Sequence, residues 1–104
     1  MRPFPEVVSE LVGILGKKLT AYIAGAKDVR AVGRWMEGRE PYNGAQERLR
    51  FAYRVVRMLG SDDHAHVVQA WFTGLNPELN DRVPIRLVRD GDLEAVGSVR
   101  RVPG

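Results

Sequence analysis

Cysteine is absent from this chain of 104 residues, and histidine occurs only twice. Without cysteine the protein can form no disulfide, no zinc–thiolate site and no cysteine nucleophile. The two histidines, His64 and His66, are separated by one residue, so on a helix they would point about 200° apart and could not bind one metal ion from the same face. The sequence therefore predicts no metal site.

Long apolar runs are also missing. No stretch approaches the roughly 20 apolar residues that a membrane helix requires. Near the N-terminus, Glu6, Ser9 and Glu10 interrupt the first apolar run, so no signal-peptide core is expected. We expect a soluble cytoplasmic protein, with one domain or two small lobes that share a core and with no contact to a membrane.

Groups arranged for catalysis are missing as well. Residues 13–18 superficially resemble a phosphate-binding loop, but only two residues separate the glycines and no serine or threonine follows Lys17. Asp62 and Asp63 are better explained by a favourable position in the first turn of a helix than by acid catalysis. No Ser–His–Asp arrangement is discernible. The prediction is a protein that is not an enzyme and needs no cofactor.

The positive charge is concentrated in the first half of the chain. Residues 1–60 hold 11 Lys and Arg against 6 Asp and Glu, a net charge of +5, whereas residues 61–104 hold 5 against 7, a net charge of −2. Any surface that binds a polyanion is therefore expected in the first half.

The apolar residues repeat with helical periodicity nearly throughout, and no alternating strand pattern exceeds four residues. The predicted fold class is all-α, a small helical bundle. Helices are predicted up to Gly16, over residues 19–24, 29–37, 44–59 and 61–73, from Pro84 to Asp90, and over residues 93–100, with Ser61 and Asp92 as N-caps. The outer face of the 44–59 helix carries Glu47, Arg48, Arg50, Arg54 and Arg57.

Residues 29–37 combine an apolar seam with a basic outer face. The seam consists of Val29, Val32, Trp35 and Met36. If Asp28 caps this helix, Arg30 and Arg34 point about 160° away from Val32, with Gly33 between them. Two arginines one turn apart, separated by a glycine that permits close approach, suit a recognition helix in the major groove of DNA. An ordinary amphipathic helix with a solvated basic face explains the same geometry equally well.

The segment from Ile23 to Arg39 resembles the helix-turn-helix of phage-repressor-like (Xre-type) regulators. It reads Ile-Ala, then a short turn over residues 25–28, and then Val-x-Arg-Trp-x-x-Gly-Arg. The turn is shorter than the usual pattern or shifted by about one residue. The resemblance implies that residues 1–42 form a DNA-binding region. The residues that it implies at operator DNA are Lys27, Arg30, Gly33, Arg34 and Arg39.

The segment from Trp71 to Val96 is dense in structural signals and contains no candidate catalytic group. It holds Trp71-Phe72, Leu75-Asn76, Leu79-Asn80, Pro84, Leu87-Val88 and Asp90-Gly91-Asp92. The order and spacing resemble the toxin-binding domain of Xre/MbcA/ParS antitoxins, with departures at Phe72, at residues 80–81 and at Val83. The likeness covers about residues 45–102, so residues 43–104 are predicted to form the toxin-binding domain.

Membership of this family would imply the antitoxin of a type II toxin–antitoxin pair. Its partner would be a RES-domain toxin that degrades NAD⁺, or a related ADP-ribosyl transferase. The antitoxin would cover the active-site cleft of the toxin and repress its own operator, as a homodimer and as a hetero-oligomer with the toxin. The residues expected at the toxin are Arg89, Asp90, Asp92, Arg100, Arg101, Val102 and Pro103.

Two other functions fit the same residues: a stand-alone helix-turn-helix regulator without a toxin, and an adaptor that binds only protein. Trp71 and Phe72 are adjacent and point about 100° apart on a helix, and Trp71 is predicted to be the one that fills the core. Leu75, Leu79, Leu87 and Val88 are likewise predicted to be core residues instead of contacts.

Overall fold

The computed structural model describes residues 2–59 and 65–99, and in those ranges the protein consists of α-helices joined by short connections. The elements are α1 (Phe4–Leu15), α2 (Lys17–Ala24), α3 (Arg30–Met36), α4 (Asn43–Met58), α5 (Ala65–Thr73), a 3-10 turn (Pro77–Leu79), α6 (Pro84–Arg89) and α7 (Leu93–Gly97). The predicted all-α helical bundle is confirmed.

Glycines with positive φ end the first two helices. Gly16, at φ 88°, ends α1, and the predicted stop at this residue is confirmed. Its carbonyl then accepts a hydrogen bond of 2.8 Å from the Thr20 hydroxyl, and α2 begins at once at Lys17, two residues before the predicted start at Leu19. Gly25 closes α2 in the left-handed region, at φ 74°, a conformation that costs glycine little.

Helix α3 begins one residue later than predicted. The Arg30 backbone N–H donates to Asp28 Oδ1 at 2.8 Å, which makes Val29 a flanking residue. Val29 is 41% exposed, so its predicted place in the apolar seam is wrong, while Val32 and Trp35 are buried as expected. The predicted N-cap Ser61, with Asp62 and Asp63 in the first turn after it, lies outside the described residues.

The last predicted helix is too long. Helix α7 ends at Gly97, three residues before the predicted end at Arg100, and Arg100 itself is outside the described range. Its start was predicted correctly: Asp92 Oδ1 accepts a hydrogen bond of 3.3 Å from the Ala95 N–H. The 3-10 turn was not predicted, because three residues are too few to show a helical period.

Helix α1 lies at the centre of the packing and contacts α2, α3, α4 and α5. Its residues Val8 and Leu11 are fully buried, as are Leu49 and Ala52 of α4. Burial of each valine or leucine side chain contributes about 1.5–3 kcal/mol relative to an exposed one, and burial of the alanine methyl contributes less. The apolar core is therefore continuous across the predicted regions 1–42 and 43–104. The division of function between those regions stays a prediction.

The prediction that Trp71 fills the core in preference to Phe72 is wrong. Phe72 is fully buried, whereas Trp71 only packs against the outside of the core. The two rings meet edge to face, with centroids 5.2 Å apart and planes at 87°. Helix α5 packs against α1 and α6 with the Phe72 face inward, and the Trp71 indole lies at the border of the core.

The prediction that Leu75 is a core residue is also wrong. It is 71% exposed, while Leu79, Leu87 and Val88, which were predicted with it, are buried. Helix α5 ends at Thr73, as predicted, and Leu75 lies in the connection that follows it. An isolated leucine in a connection needs no core position.

Arg48 is not part of the solvated face of α4 where the sequence placed it. Its guanidinium donates to the Ile23 and Ala24 carbonyl oxygens at 2.9 and 2.8 Å, and to the Tyr42 hydroxyl at 2.7 Å. Carbonyl groups at a helix C-terminus lack partners within the helix and carry partial negative charge. Arg48 therefore caps α2 and ties it to α4.

No helix within residues 2–59 and 65–99 is both long enough and apolar enough to cross a membrane.

Candidate functional site

The residues predicted to contact DNA lie around α3. Lys27, Arg30, Arg34 and Arg39 are all exposed. A Cβ atom added at Gly33 would meet nothing within 4 Å, so the backbone is open at that position, as the prediction requires. These placements are compatible with an outward basic face on α3.

Arg30 is engaged in a local ion pair. Its Nε and Nη2 donate to Asp28 Oδ2 at 2.9 and 2.7 Å, while the backbone N–H of Arg30 occupies the other carboxylate oxygen. The carboxylate thus caps the first turn of α3 and draws the guanidinium back toward it. An exposed pair of this kind adds little to stability. The pair fixes the position of the Arg30 guanidinium, which must leave Asp28 before it can reach a phosphate.

Asp28 is expected to titrate at unusually low pH. The hydrogen bonds from Arg30 lower the pKa of its carboxyl group from the ordinary 3.8 to about 2. The folded-state pKa is depressed, so the contribution to stability is complete above pH 3.8 and is lost as pH falls toward 2. A carboxyl-carbon NMR titration should give a midpoint near 2, and Arg30→Ala should return it toward 3.8. A wild-type midpoint near 3.8 would show that the pair does not persist in solution.

A groove lies beside the connection between α5 and α6. It has a volume of about 390 Å³ and is lined by Leu75, Asp81, Arg82, Val83, Arg86, Leu87 and Asp90. The leucines and the valine supply an apolar centre, and two acidic and two basic residues surround it. Within the described ranges, none of these four charged groups forms an ion pair with another side chain. Their charges therefore remain available to a binding partner.

The wall of the groove is a closed loop over residues 76–82. The Asn76 N–H donates to the Arg82 carbonyl at 3.1 Å, and the Asp81 N–H donates to the Asn76 carbonyl at 2.9 Å. Arg82 Nε also donates to the Leu79 carbonyl at 2.8 Å, which directs the start of its guanidinium along the loop. Leu79 is buried beneath. These bonds hold the groove in one shape before any partner arrives.

Two consecutive residues of this loop adopt a backbone conformation that favours glycine, although neither is glycine. Asn80 and Asp81 have φ of 58° and 60°, in the left-handed region. Asparagine and aspartate enter that region more readily than other non-glycine residues, because their short polar side chains can form local hydrogen bonds, but glycine adopts it at a lower steric cost. Such strain persists only where the surrounding structure enforces it, and it is concentrated at functional sites.

The strain can be measured with Asp81→Gly. We expect a gain of about 0.5–1 kcal/mol in the free energy of unfolding, because glycine adopts this conformation without a steric penalty but loses more entropy on folding. Asp81→Ala keeps the penalty and serves as the matched control, with no gain expected. Urea unfolding measures the free energy of unfolding of the wild-type protein and of both variants. Equal stability of Asp81→Gly and Asp81→Ala would contradict the predicted strain.

The residues predicted to contact a toxin are only partly gathered at this groove. Asp90 lines it. Arg89 is exposed, but its guanidinium lies 4.4 Å from the centre of the Tyr22 ring, a cation–π contact between α6 and α2. Asp92 caps α7. The other predicted toxin contacts lie outside the described residues: Arg100, Arg101, Val102 and Pro103.

Most of the groove residues were missed by sequence reasoning. Leu75 and Leu87 were assigned to the core, and Arg82 and Arg86 were assigned no role. One signal was present: side chains four positions apart project from nearly the same side of a helix, and Arg86 and Asp90 have this spacing in the helix that begins at Pro84. Arg82 precedes that helix. The loop closure that brings Leu75 to them is a tertiary feature without a sequence period.

Within residues 2–59 and 65–99, no group of three or more His, Asp or Glu side chains is placed to hold a metal ion.

The chain was compared with known proteins. No protein-family model and no curated protein matches its sequence. Its structure is similar to a chain in the crystal structure of the M. tuberculosis MbcT–MbcA toxin–antitoxin complex. The TM-score is 0.72 at 26% sequence identity, and the match covers 92% of this chain and 88% of the other. The helical arrangement described above is therefore shared, nearly end to end, with a component of that complex.

Proposed function

We propose that this protein is the antitoxin of a toxin–antitoxin pair. The observation that carries the proposal is the similarity, along almost the whole chain, to the MbcA antitoxin of the MbcT–MbcA complex. Agreement over 92% of this chain and 88% of the other is more informative than a shared pair of helices. Neutralisation by binding requires an interface and no catalytic group of its own.

The groove around Leu75 is the proposed toxin-binding surface. Tight interfaces contain a few apolar anchors at their centre, surrounded by a polar rim that excludes water. Leu75 offers an exposed apolar anchor, and Val83 and Leu87 lie beside it. Asp81, Arg82, Arg86 and Asp90 supply a rim of both charge signs, which favours a partner with complementary charges over a simple polyanion.

The identity of the toxin is a further proposal. We propose a RES-domain enzyme that degrades NAD⁺, or a related ADP-ribosyl transferase, whose active-site cleft the antitoxin blocks by steric occlusion. Asp90 connects the groove to the segment that carries Arg89 and Asp92. That segment and the tail with Arg100, Arg101, Val102 and Pro103 are the proposed contacts with the cleft.

Binding of operator DNA through α3 is proposed as the second activity, together with homodimer formation and a hetero-oligomer with the toxin. The exposed side chains of Lys27, Arg34 and Arg39 and the open backbone at Gly33 support it. Because Arg30 is paired with Asp28, Arg34 is the stronger candidate for a contact with DNA.

Co-expression with the product of each adjacent gene tests the antitoxin proposal. The toxin should copurify with the tagged antitoxin and elute with it in size-exclusion chromatography. Failure of every neighbouring product to bind would contradict the proposal and favour a regulator or adaptor without a toxin.

A further inference from the structure

Three arginines form a row on the outer side of α4. Arg50, Arg54 and Arg57 are spaced by four and three residues, which places them within about 60° on the helix. Arg54 and Arg57 are exposed, and Arg50 is half-buried. The exposed Glu47 lies about 60° from Arg50, so one carboxylate borders the row at its N-terminal end. We call these three residues the α4 arginine row.

Each guanidinium of the row lies over an aromatic ring. The distances from the guanidinium carbon to the ring centre are 5.7 Å from Arg50 to Phe4, 5.7 Å from Arg54 to Phe51, and 6.0 Å from Arg57 to Tyr53. Cation–π contact restrains a guanidinium without neutralising its charge. The row is therefore a set of restrained positive charges. Because these side chains are already ordered, they lose less conformational entropy when an anion binds.

A cleft opens between the row and the N-terminus. It measures about 190 Å³ and is lined by Arg2, Val7, Arg50, Tyr53 and Arg54. Within residues 2–59 and 65–99 the carboxylate near it, Glu10, is already engaged: Arg2 is 3.1 Å away, and the Tyr53 hydroxyl donates to it at 2.9 Å. In the same ranges, the ion pairs involve Arg2 and Arg30 and none of the row.

We propose that the α4 arginine row and its cleft bind the phosphodiester backbone of duplex DNA, at a surface separate from α3. The row runs over eight residues, about 10 Å along the helix, a length over which one strand of a duplex presents about three phosphates along the duplex axis. Arginine matches phosphate geometry and can bind it through two N–H groups. The contact is with backbone phosphates and is independent of base sequence.

Two features favour a duplex over other polyanions. Single-stranded nucleic acid binds through bases stacked on aromatic faces, but here the faces of Phe4, Phe51 and Tyr53 carry guanidinium groups. An acidic protein partner would require an apolar anchor at the centre of its interface. No apolar side chain between Arg50 and Arg57 is exposed, and the exposed Met58 lies at the end of the row instead of its centre. This proposal goes beyond the antitoxin function and does not depend on it.

Fluorescence anisotropy with a short duplex of random sequence tests the proposal, with Arg54→Gln/Arg57→Gln as the variant. Its affinity at about 50 mM salt should fall at least tenfold, and the slope of log K against log salt should fall by up to about two, one for each lost phosphate contact. Lys17→Gln/Lys18→Gln removes the same charge from the exposed start of α2 and should lose much less. Arg54→Lys/Arg57→Lys retains the charge and should keep most of the slope.

Each alternative outcome overturns the assignment. The row would not be a specific DNA-binding surface if the wild-type protein did not bind the duplex or if the Arg54→Gln/Arg57→Gln variant bound it unchanged. The same would follow if Lys17→Gln/Lys18→Gln lost as much affinity as that variant. Tighter binding of a single strand, or equally effective competition by polyglutamate, would replace the duplex as its ligand. Far-UV circular dichroism confirms folding of each variant, and retained toxin binding by the glutamine variant separates this result from any failure of the antitoxin proposal.

Discussion

Leu79→Ala is expected to lower the free energy of unfolding by about 2–5 kcal/mol. Leu79 is 2% exposed and lies in the 3-10 turn, where it joins the core beneath the groove. Truncation removes its apolar contacts and leaves a cavity that the closed loop over residues 76–82 can only partly fill. Since a domain of this kind has only about 5–15 kcal/mol of stability, the loss should be evident in urea unfolding.

Leu75→Ala is the matched control for that measurement. It makes the same chemical change four residues earlier, at a side chain that is 71% exposed. A substitution at such a position usually changes stability by no more than about 0.5 kcal/mol. If both variants lost stability equally, Leu75 would be buried in solution, and the groove described here would not exist in that form.

Leu75→Asp is expected to weaken the complex with the toxin by at least about thirtyfold, equivalent to about 2 kcal/mol. The substitution places a charge at the apolar centre of the groove, where the toxin would have to desolvate it. Stability of the free protein should be unchanged within about 0.5 kcal/mol. Isothermal titration calorimetry with the purified toxin measures the affinity.

Met58→Asp provides the control, because Met58 is 69% exposed and lies at the end of α4, outside the residues that line the groove. It introduces the same charge at an equally exposed apolar side chain and should leave toxin affinity unchanged. Similar losses in both variants, or none in either, would move the toxin-binding surface away from the groove.

The long helices could be predicted from sequence because their signals are local. The apolar stripe of α4 and the glycine at the end of α1 identified those elements within one residue. Pro84 and Asp92 marked the starts of α6 and α7 because each acts within its own first turn. Errors arose at the start of α2, at the end of α7 and at the start of α3, where the Arg30 N–H bonds to Asp28.

Burial was harder to predict than helicity. Trp71 and Phe72 have similar apolar character, so only the space left between α1 and α6 decides which ring enters the core. Leu75 is apolar like the buried Leu79, but it lies in the connection after α5 and is exposed. Arg48 resembles its basic neighbours in sequence, yet it satisfies the last carbonyl groups of α2. Each outcome depends on a neighbour distant in sequence.

The candidate site could be located only roughly. The resemblance pointed to the segment that contains the groove, and Asp90 was named in advance. Asp81, Arg82 and Arg86 become neighbours of Leu75 only when the loop closes between Asn76 and Arg82. The excess of positive charge in the first half was evident from composition, but the α4 arginine row requires knowledge of the rings beneath it.

Growth of cells that express the toxin from an inducible promoter tests the antitoxin function most directly. Co-expression of the wild-type protein should restore growth, Met58→Asp should restore it equally, and Leu75→Asp should fail at the same level of soluble protein. Continued arrest in the presence of the wild-type protein, despite its soluble accumulation, would contradict the proposed function.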